Sequence, residues 1–193
     1  MIYELLLAES QAILFGSTIR EYSLSLGVFL CSLGLGAIFV NQKKSGDEQG
    51  SRLVWIEVAL ALFGAVWVPF IFFLAGNHIE ELWIRAAALC GVFLIGILTG
   101  MELPLCGYLK ETQNQESLLL ASDYFGSVAG AFLFTAYSLP VLGMLGSGFL
   151  TAAFNATAGL FIAKKLSQRV PAAILALSCV IALFYTQFFE QFL

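Results

Sequence analysis

Three carboxylates stand inside apolar stretches of this 193-residue chain: Glu57, Glu102 and Asp123. Glu57 follows Leu53-Val54-Trp55-Ile56, Glu102 sits in Gly100-Met101-Glu102-Leu103-Pro104, and Asp123 follows Leu118–Ser122. A charge within a bilayer is costly and rarely idle, so an acid in such a run points to an ion, proton or partner site. Each of the three lies about one helical turn inside the end of its run. At 1.5 Å per residue they reach a similar depth, roughly 5–10 Å from one membrane face. Glu4 joins them if the first helix begins on that side.

The competing reading is that each acid is solvated at the interface or caps a helix. Ser122-Asp123 fits it, because anions favour helix N-termini. Glu102 fits it poorly, since it stands near a helix C-terminus where the dipole opposes an anion. A cation- or partner-binding site therefore rests mainly on Glu102, with Asp123, Glu57 and Glu4 as neighbours. Two carboxylates in a poorly solvated place do not both stay ionised without compensation. A proton, Lys110, a bound cation or a basic partner residue could each supply it.

Other chemistry finds no footing. His78, in Asn77-His78-Ile79-Glu80-Glu81, reads as a solvated loop residue. Cys31, Cys90, Cys106 and Cys179 have no paired spacing, so neither a metal site nor a disulfide framework is expected. The chain has no nucleophile elbow, phosphate loop or zinc signature, and no Gly-rich fingerprint after a strand. No cofactor and no metal are expected. Nor is nucleic acid, because no basic stripe interleaves with aromatics.

The elements that position the acids follow from composition. Hydrophobic residues make up 60% of the chain and charged ones 11%, with a mean hydropathy of +0.90. Globular domains carry about 25% charged residues. Lipid must therefore cover most of the outside. About 20 apolar residues cross the hydrocarbon core, and six runs qualify, at roughly 22–40, 53–75, 83–105, 118–139, 145–163 and 170–189. A seventh, Ile2 to about Ser17, is shorter and carries Glu4 and Glu9, unlike the basic start of a signal peptide. The expected fold is an all-α integral membrane protein, one domain over 1–193, with about six full transmembrane helices and a shorter N-terminal helix.

Lys43, Lys44, Arg52, Lys110, Lys164, Lys165 and Arg169 fall in or beside the loops at about 41–52, 106–117 and 164–169. Only Arg20 and Arg85 lie near the other helix ends. The positive-inside bias makes these basic loops cytoplasmic and puts the C-terminus on the far side. Trp55 and Trp83 sit where interfacial aromatic belts form. Gly96-x-x-x-Gly100 and Gly126-x-x-x-Gly130 present small-residue stripes on consecutive helices, which predicts direct packing of the two against each other. Gly34-Leu35-Gly36 and Gly146-Ser147-Gly148 read as packing glycines.

Several stretches resemble the transmembrane domain of membrane-bound spermidine synthase-like proteins, the polyamine aminopropyltransferases. They are Ile2-Tyr3-Glu4-Leu5-Leu6, Phe15-Gly16-Ser17 with Tyr22–Gly36, Gly100-Met101-Glu102-Leu103-Pro104-Leu105, Ser122–Ala131 and Leu139-Pro140-Val141-Leu142-Gly143. The resemblance runs to about Ala163. It implies a membrane bundle with an acidic cytoplasmic-side set: Glu4, Glu102 and Asp123. Full-length relatives follow this unit with a cytoplasmic domain that transfers an aminopropyl group from decarboxylated S-adenosylmethionine to putrescine. That domain is not recognisable in this sequence, and the first helix starts closer to the Tyr-Glu pair than in the family. The leading expectation is a non-catalytic subunit of a bacterial inner membrane, anchoring or organising membrane or cytoplasmic proteins. The alternative is a carrier or sensor that binds a polyamine or small cation at the carboxylates.

The topology has a direct test. Single cysteines at Gly46 and Asn77, in a background without native cysteines, are treated on intact cells with an impermeant thiol reagent. Labelling at Asn77 and not at Gly46 is expected, and the reverse would invert the orientation.

Overall fold

The computed structural model describes residues 2–40, 46–77, 79–107, 116–163 and 165–190, and all regular structure among them is helical. The helices are α1 (Ile2–Phe15), α2 (Thr18–Ile38), α3 (Gly46–Gly76), α4 (Glu81–Gly107), α5 (Glu116–Leu133), α6 (Leu139–Ile162) and α7 (Leu166–Glu190). Phe134–Ser138 forms a π-helical turn between α5 and α6. Five helical stretches are long and apolar enough to cross a membrane, counting Ser117–Ile162 as one. Lys43, Lys44, His78, Lys110 and Lys164 lie outside the described residues.

Two glycines shape the path. Gly16 takes the left-handed backbone (φ 73°) that ends α1, its N–H bonding Ala12 O at 2.9 Å. Only Ser17 then separates it from α2. Gly143 (φ 64°, ψ −172°) breaks α6 from within. The hydroxyl of Ser138 meets that of Ser147 at 3.0 Å. In a straight helix residues nine apart are about 13 Å apart along the axis, so the chain folds back at Gly143. Ser117–Ile162 is therefore two limbs. The gap expected between the runs ending at 139 and starting at 145 shrinks to this single joint. Pro140 explains the adjoining π turn: its ring clashes with the carbonyl four residues back, and the helix widens to accommodate it.

α3 begins at Gly46, so Arg52 is helical and not part of a 41–52 loop. Polar Asp47–Arg52 prolong the helix past its apolar part, and Ser51 receives a hydrogen bond from Gln168 of α7. Consecutive pairs α1–α2, α3–α4 and α6–α7 pack together, and α6 also lies along α3. Alanines fill that second seam: Ala61 and Ala65 of α3, Ala152, Ala153 and Ala156 of α6, and Ala176 of α7. Phe125, Phe161, Ile19 and many other large apolar side chains point outward, as a lipid-facing surface requires.

The tightest seam is between α2 and α4. A Cβ on Gly36 would overlap the Ile97 carbonyl, one on Gly96 the Ser32 hydroxyl, and one on Gly100 the Leu33 carbonyl. The two helices run parallel and in register. Glu21 binds Arg85 across a separation of 64 residues, the same offset that relates Ser32 to Gly96 and Gly27-Val28-Phe29-Leu30 to Gly91-Val92-Phe93-Leu94. The expected packing of Gly96 and Gly100 against Gly126 and Gly130 is thereby corrected. Gly126 has open space where its Cβ would be, and Gly130 meets only the Ile2 side chain. The four-residue spacing marks a surface for close approach without naming the partner, and α2 carries its own small pair in Ser32 and Gly36.

Gly100→Leu should accordingly force α2 and α4 apart and destabilise the fold by about 2 kcal/mol or more, as core overpacking does. Gly126→Leu, into open space, should change stability little. Thermal unfolding in detergent, followed by size-exclusion of the soluble fraction, distinguishes them.

Candidate functional site

Glu102 and Asp123 open onto the same cavity, of about 310 Å³, walled by α1, α3, α4, α5 and α6. Helical rotation places them there. Gly100 faces α2, and a residue two positions on is turned about 200° around the axis. Glu102 therefore points away from α2, and Thr99, three residues earlier on the same face, lines the cavity with it. On α5, Asp123, Gly126, Ser127 and Gly130 share one stripe and all line the cavity. The small residues of α5 make room for a hollow instead of admitting another helix. From α6, Thr151 and Asn155 are one turn apart and complete the polar wall. Leu60 of α3 and Ile2 of α1 contribute apolar surface.

Tyr3 also forms part of the wall. It is 6% exposed, its ring lies against Gly64 of α3, and its buried hydroxyl has no hydrogen-bond partner among the described residues. Thr151 donates to Ser147 O at 2.8 Å and Ser122 to Leu118 O at 2.8 Å, so those hydroxyls keep acceptor capacity for the cavity. Asp123 is exposed and Glu102 partly so. Among the described residues neither makes an ion pair, and no lining side chain is basic.

The other two acids do not line this cavity. Glu57 is half-buried, near enough to Glu102 for their charges to interact, but its Cβ packs on Gly159 of α6 and it does not line the cavity. Glu4 is 5% exposed and faces the interior of the bundle beside Tyr3, also outside the lining. Among the described residues there is no group of three His, Cys, Asp or Glu arranged to hold a metal. The cavity offers carboxylates, hydroxyls and an amide, a set suited to receiving N–H donors.

The opposite end of the bundle holds a second polar assembly that the sequence reading missed. Arg85 Nη1 bonds Glu21 Oε1 at 2.5 Å, and its Nε bonds Glu81 at 2.8 Å. The guanidinium lies 4.0 Å over the Phe15 ring. Nearby, Tyr22 donates to Glu9 at 2.5 Å and Gln11 to Ser25 at 2.8 Å. Glu21 is fully buried. Within one helix, the Glu81/Arg85 spacing of four is the signal that could have pointed here. The partner that matters most, Glu21, comes from a helix 64 residues earlier.

Set against known proteins, this geometry has sequence relatives. The chain is similar to polyamine aminopropyltransferases. It is 32% identical over 159 residues to the polyamine aminopropyltransferase of Leptospira interrogans, covering 80% of this chain and 31% of the relative. It is 30% identical over 160 residues to polyamine aminopropyltransferase 2 of Ralstonia nicotianae, covering 80% and 31%. With the polyamine aminopropyltransferase of Corynebacterium efficiens the identity is 30% over 192 residues, covering 95% and 36%. The chain thus spans about a third of the length of the curated relatives it matches. No family model and no solved structure matches it.

The Arg85 assembly predicts an asymmetric mutational response. Arg85→Met leaves Glu21 as a buried charge without its cation and should destabilise by about 3 kcal/mol. Adding Glu21→Gln to that variant should restore much of the loss. Denaturation of the purified single and double variants gives the coupling, and additive losses would show that the pair does not act as a unit.

Proposed function

We propose that the chain is a non-catalytic membrane unit of an aminopropyltransferase-type system, holding other proteins at the bilayer while the transfer is carried out elsewhere. The observation that carries this reading is the nature of the matched stretch, which covers 80% of the chain and 31% of an aminopropyltransferase. The matching part here consists of helices long and apolar enough for a membrane. Transfer chemistry needs a site for the adenosyl cofactor and an acid or base beside the amine, and the sequence motifs for such a site are lacking. The bias of basic residues towards one set of helix ends supports a cytoplasmic orientation of the Glu102 end in a bacterial inner membrane, where a soluble partner would dock.

Two measurements test it. Affinity-tagged chain, extracted from the membranes of its source cell in mild detergent, should elute with a second protein at fixed stoichiometry. The purified chain, given decarboxylated S-adenosylmethionine and putrescine, should form no spermidine. Spermidine formation by the isolated chain, or its elution as a single species under all mild conditions, would overturn the proposal.

A further inference from the structure

We propose that α5 is a hinged lid, which swings about its buried end at Phe134 between the open arrangement of this structure and a closed one in which its small-residue face packs on α1 and α4. The hollow beside Glu102 is the space through which it moves. This goes beyond tethering and does not depend on it, because the motion needs no docked protein.

The packing of α5 changes along its length. From Ser117 to Leu133 it has no buried residue, whereas Phe134 and Ser138, in the turn that follows, are 1% and 6% exposed. Ser138 is tied there to Ser147 of α6 through their hydroxyls. Away from that anchor the gap widens. A Cβ on Gly130 would meet the Ile2 side chain at 3.3 Å, while one on Gly126, a turn further along, would meet nothing within 4 Å. The helix therefore stands off the bundle as a wedge, fixed at one end and parted at the other.

Helices in lipid associate through close approach of small residues, and α5 turns Gly126, Ser127 and Gly130 to the hollow without bringing them into full contact. Tyr3 gives an independent sign that the hollow is meant to close. It stands in the same wall, nearly buried, and its hydroxyl has no partner among the described residues. Buried polar groups are nearly always paired, and closure carries Ser127 and Asp123 of the facing wall towards it. The turn at Phe134–Ser138 supplies the hinge. It is π-helical, with Leu139 N–H bonding Phe134 O, and a switch between π and α hydrogen bonding re-aims the helix that leads into it.

Closure has a cost. Asp123 is exposed, and the swing carries it out of water towards Glu102, in a hollow whose lining holds no basic side chain. Two carboxylates brought together in a poorly solvated place oppose one another. Charge on Asp123 thus holds the lid open, and its loss lets the small-residue face settle. The result is a switch in which the state of one carboxyl group sets the position of a helix.

Pulsed dipolar spectroscopy on the full chain in lipid nanodiscs tests this. Nitroxides are attached through p-acetylphenylalanine at the exposed positions Leu118 of α5 and Ile38 of α2, leaving the native cysteines in place. Because α2 lies across α4 from the hollow, closure shortens this distance. Leu118 is 16 residues from Phe134, about 24 Å of helix, so a swing of about 10° moves it by about 4 Å. The wild-type chain should show a second population at least that much shorter. Asp123→Asn should raise its share at least twofold, and Asp123→Ala serves if the amide variant does not fold. Gly126→Leu should abolish the short population while leaving the melting temperature unchanged, since leucine fills the gap and strikes nothing in the open form. Labels at Phe132 and Ile19, beside the anchored end, should report one unchanged distance. A single, identical distance for Leu118–Ile38 in the wild type and the Asp123 variant would overturn the proposal. So would survival of the short population in Gly126→Leu, or an equal shift at Phe132–Ile19. None of these readouts involves co-elution or spermidine formation, so either proposal can fail alone.

Discussion

Inside a bilayer, burying a leucine against another helix gains little over leaving it in lipid, and helices associate through close packing and polar contacts instead. The seam between α2 and α4 meets that condition by bringing backbone against backbone. Gly36, Gly96 and Gly100 each stand where one added carbon would strike the opposite helix. The ion pair of Glu21 with Arg85 closes the same seam at one end. With α2 and α4 held in register, α1 is confined between them and α3, and Tyr3 is carried to the wall of the acidic cavity. The cavity thus depends on a contact that none of its own residues makes.

How much of this was legible in the sequence depends on the kind of signal. Long apolar helices announce themselves by length and hydropathy, so the apolar runs match the observed helices to within a few residues at most ends. The polar start of α3 was not, because hydropathy sees Asp47–Arg52 as a loop although nothing in those residues forbids a helix. The break at Gly143 falls in the gap expected between the runs ending at 139 and starting at 145, but its reduction to one joint was not legible, because a left-handed backbone leaves no mark on composition. The stripes on α4 and α5 were real, but spacing says only that a face is flat. Partner choice was decided by α2, whose Ser32 and Gly36 are spaced to match.

The two polar assemblies show the same contrast. Glu102 and Asp123 were found because an acid in an apolar run is conspicuous, and helical rotation then brings both to one hollow. Glu57 and Glu4 were equally conspicuous; neither lines that hollow, although Glu57 lies near enough to Glu102 for their charges to interact. Arg85 and Glu21 sit near helix ends, where charges are expected, and only three-dimensional placement shows that Glu21 is buried. The stretch that is similar to about a third of an aminopropyltransferase is, in this chain, a helical framework with one acidic end.

These assemblies also bracket the apolar part of α4. From Arg85 to Glu102 is 17 residues, about 26 Å of helix, whereas the hydrocarbon core of an average bilayer is about 30 Å thick. A bilayer crossed by α4 would have to thin by a few ångströms or leave polar groups below its headgroups, at a fraction of a kcal/mol per ångström of mismatch. Placed in a membrane, the fold would therefore carry its own preference for thickness. Short-chain lipids fit it better than long-chain ones, and in a thick bilayer the strained annulus itself would draw copies of the chain together.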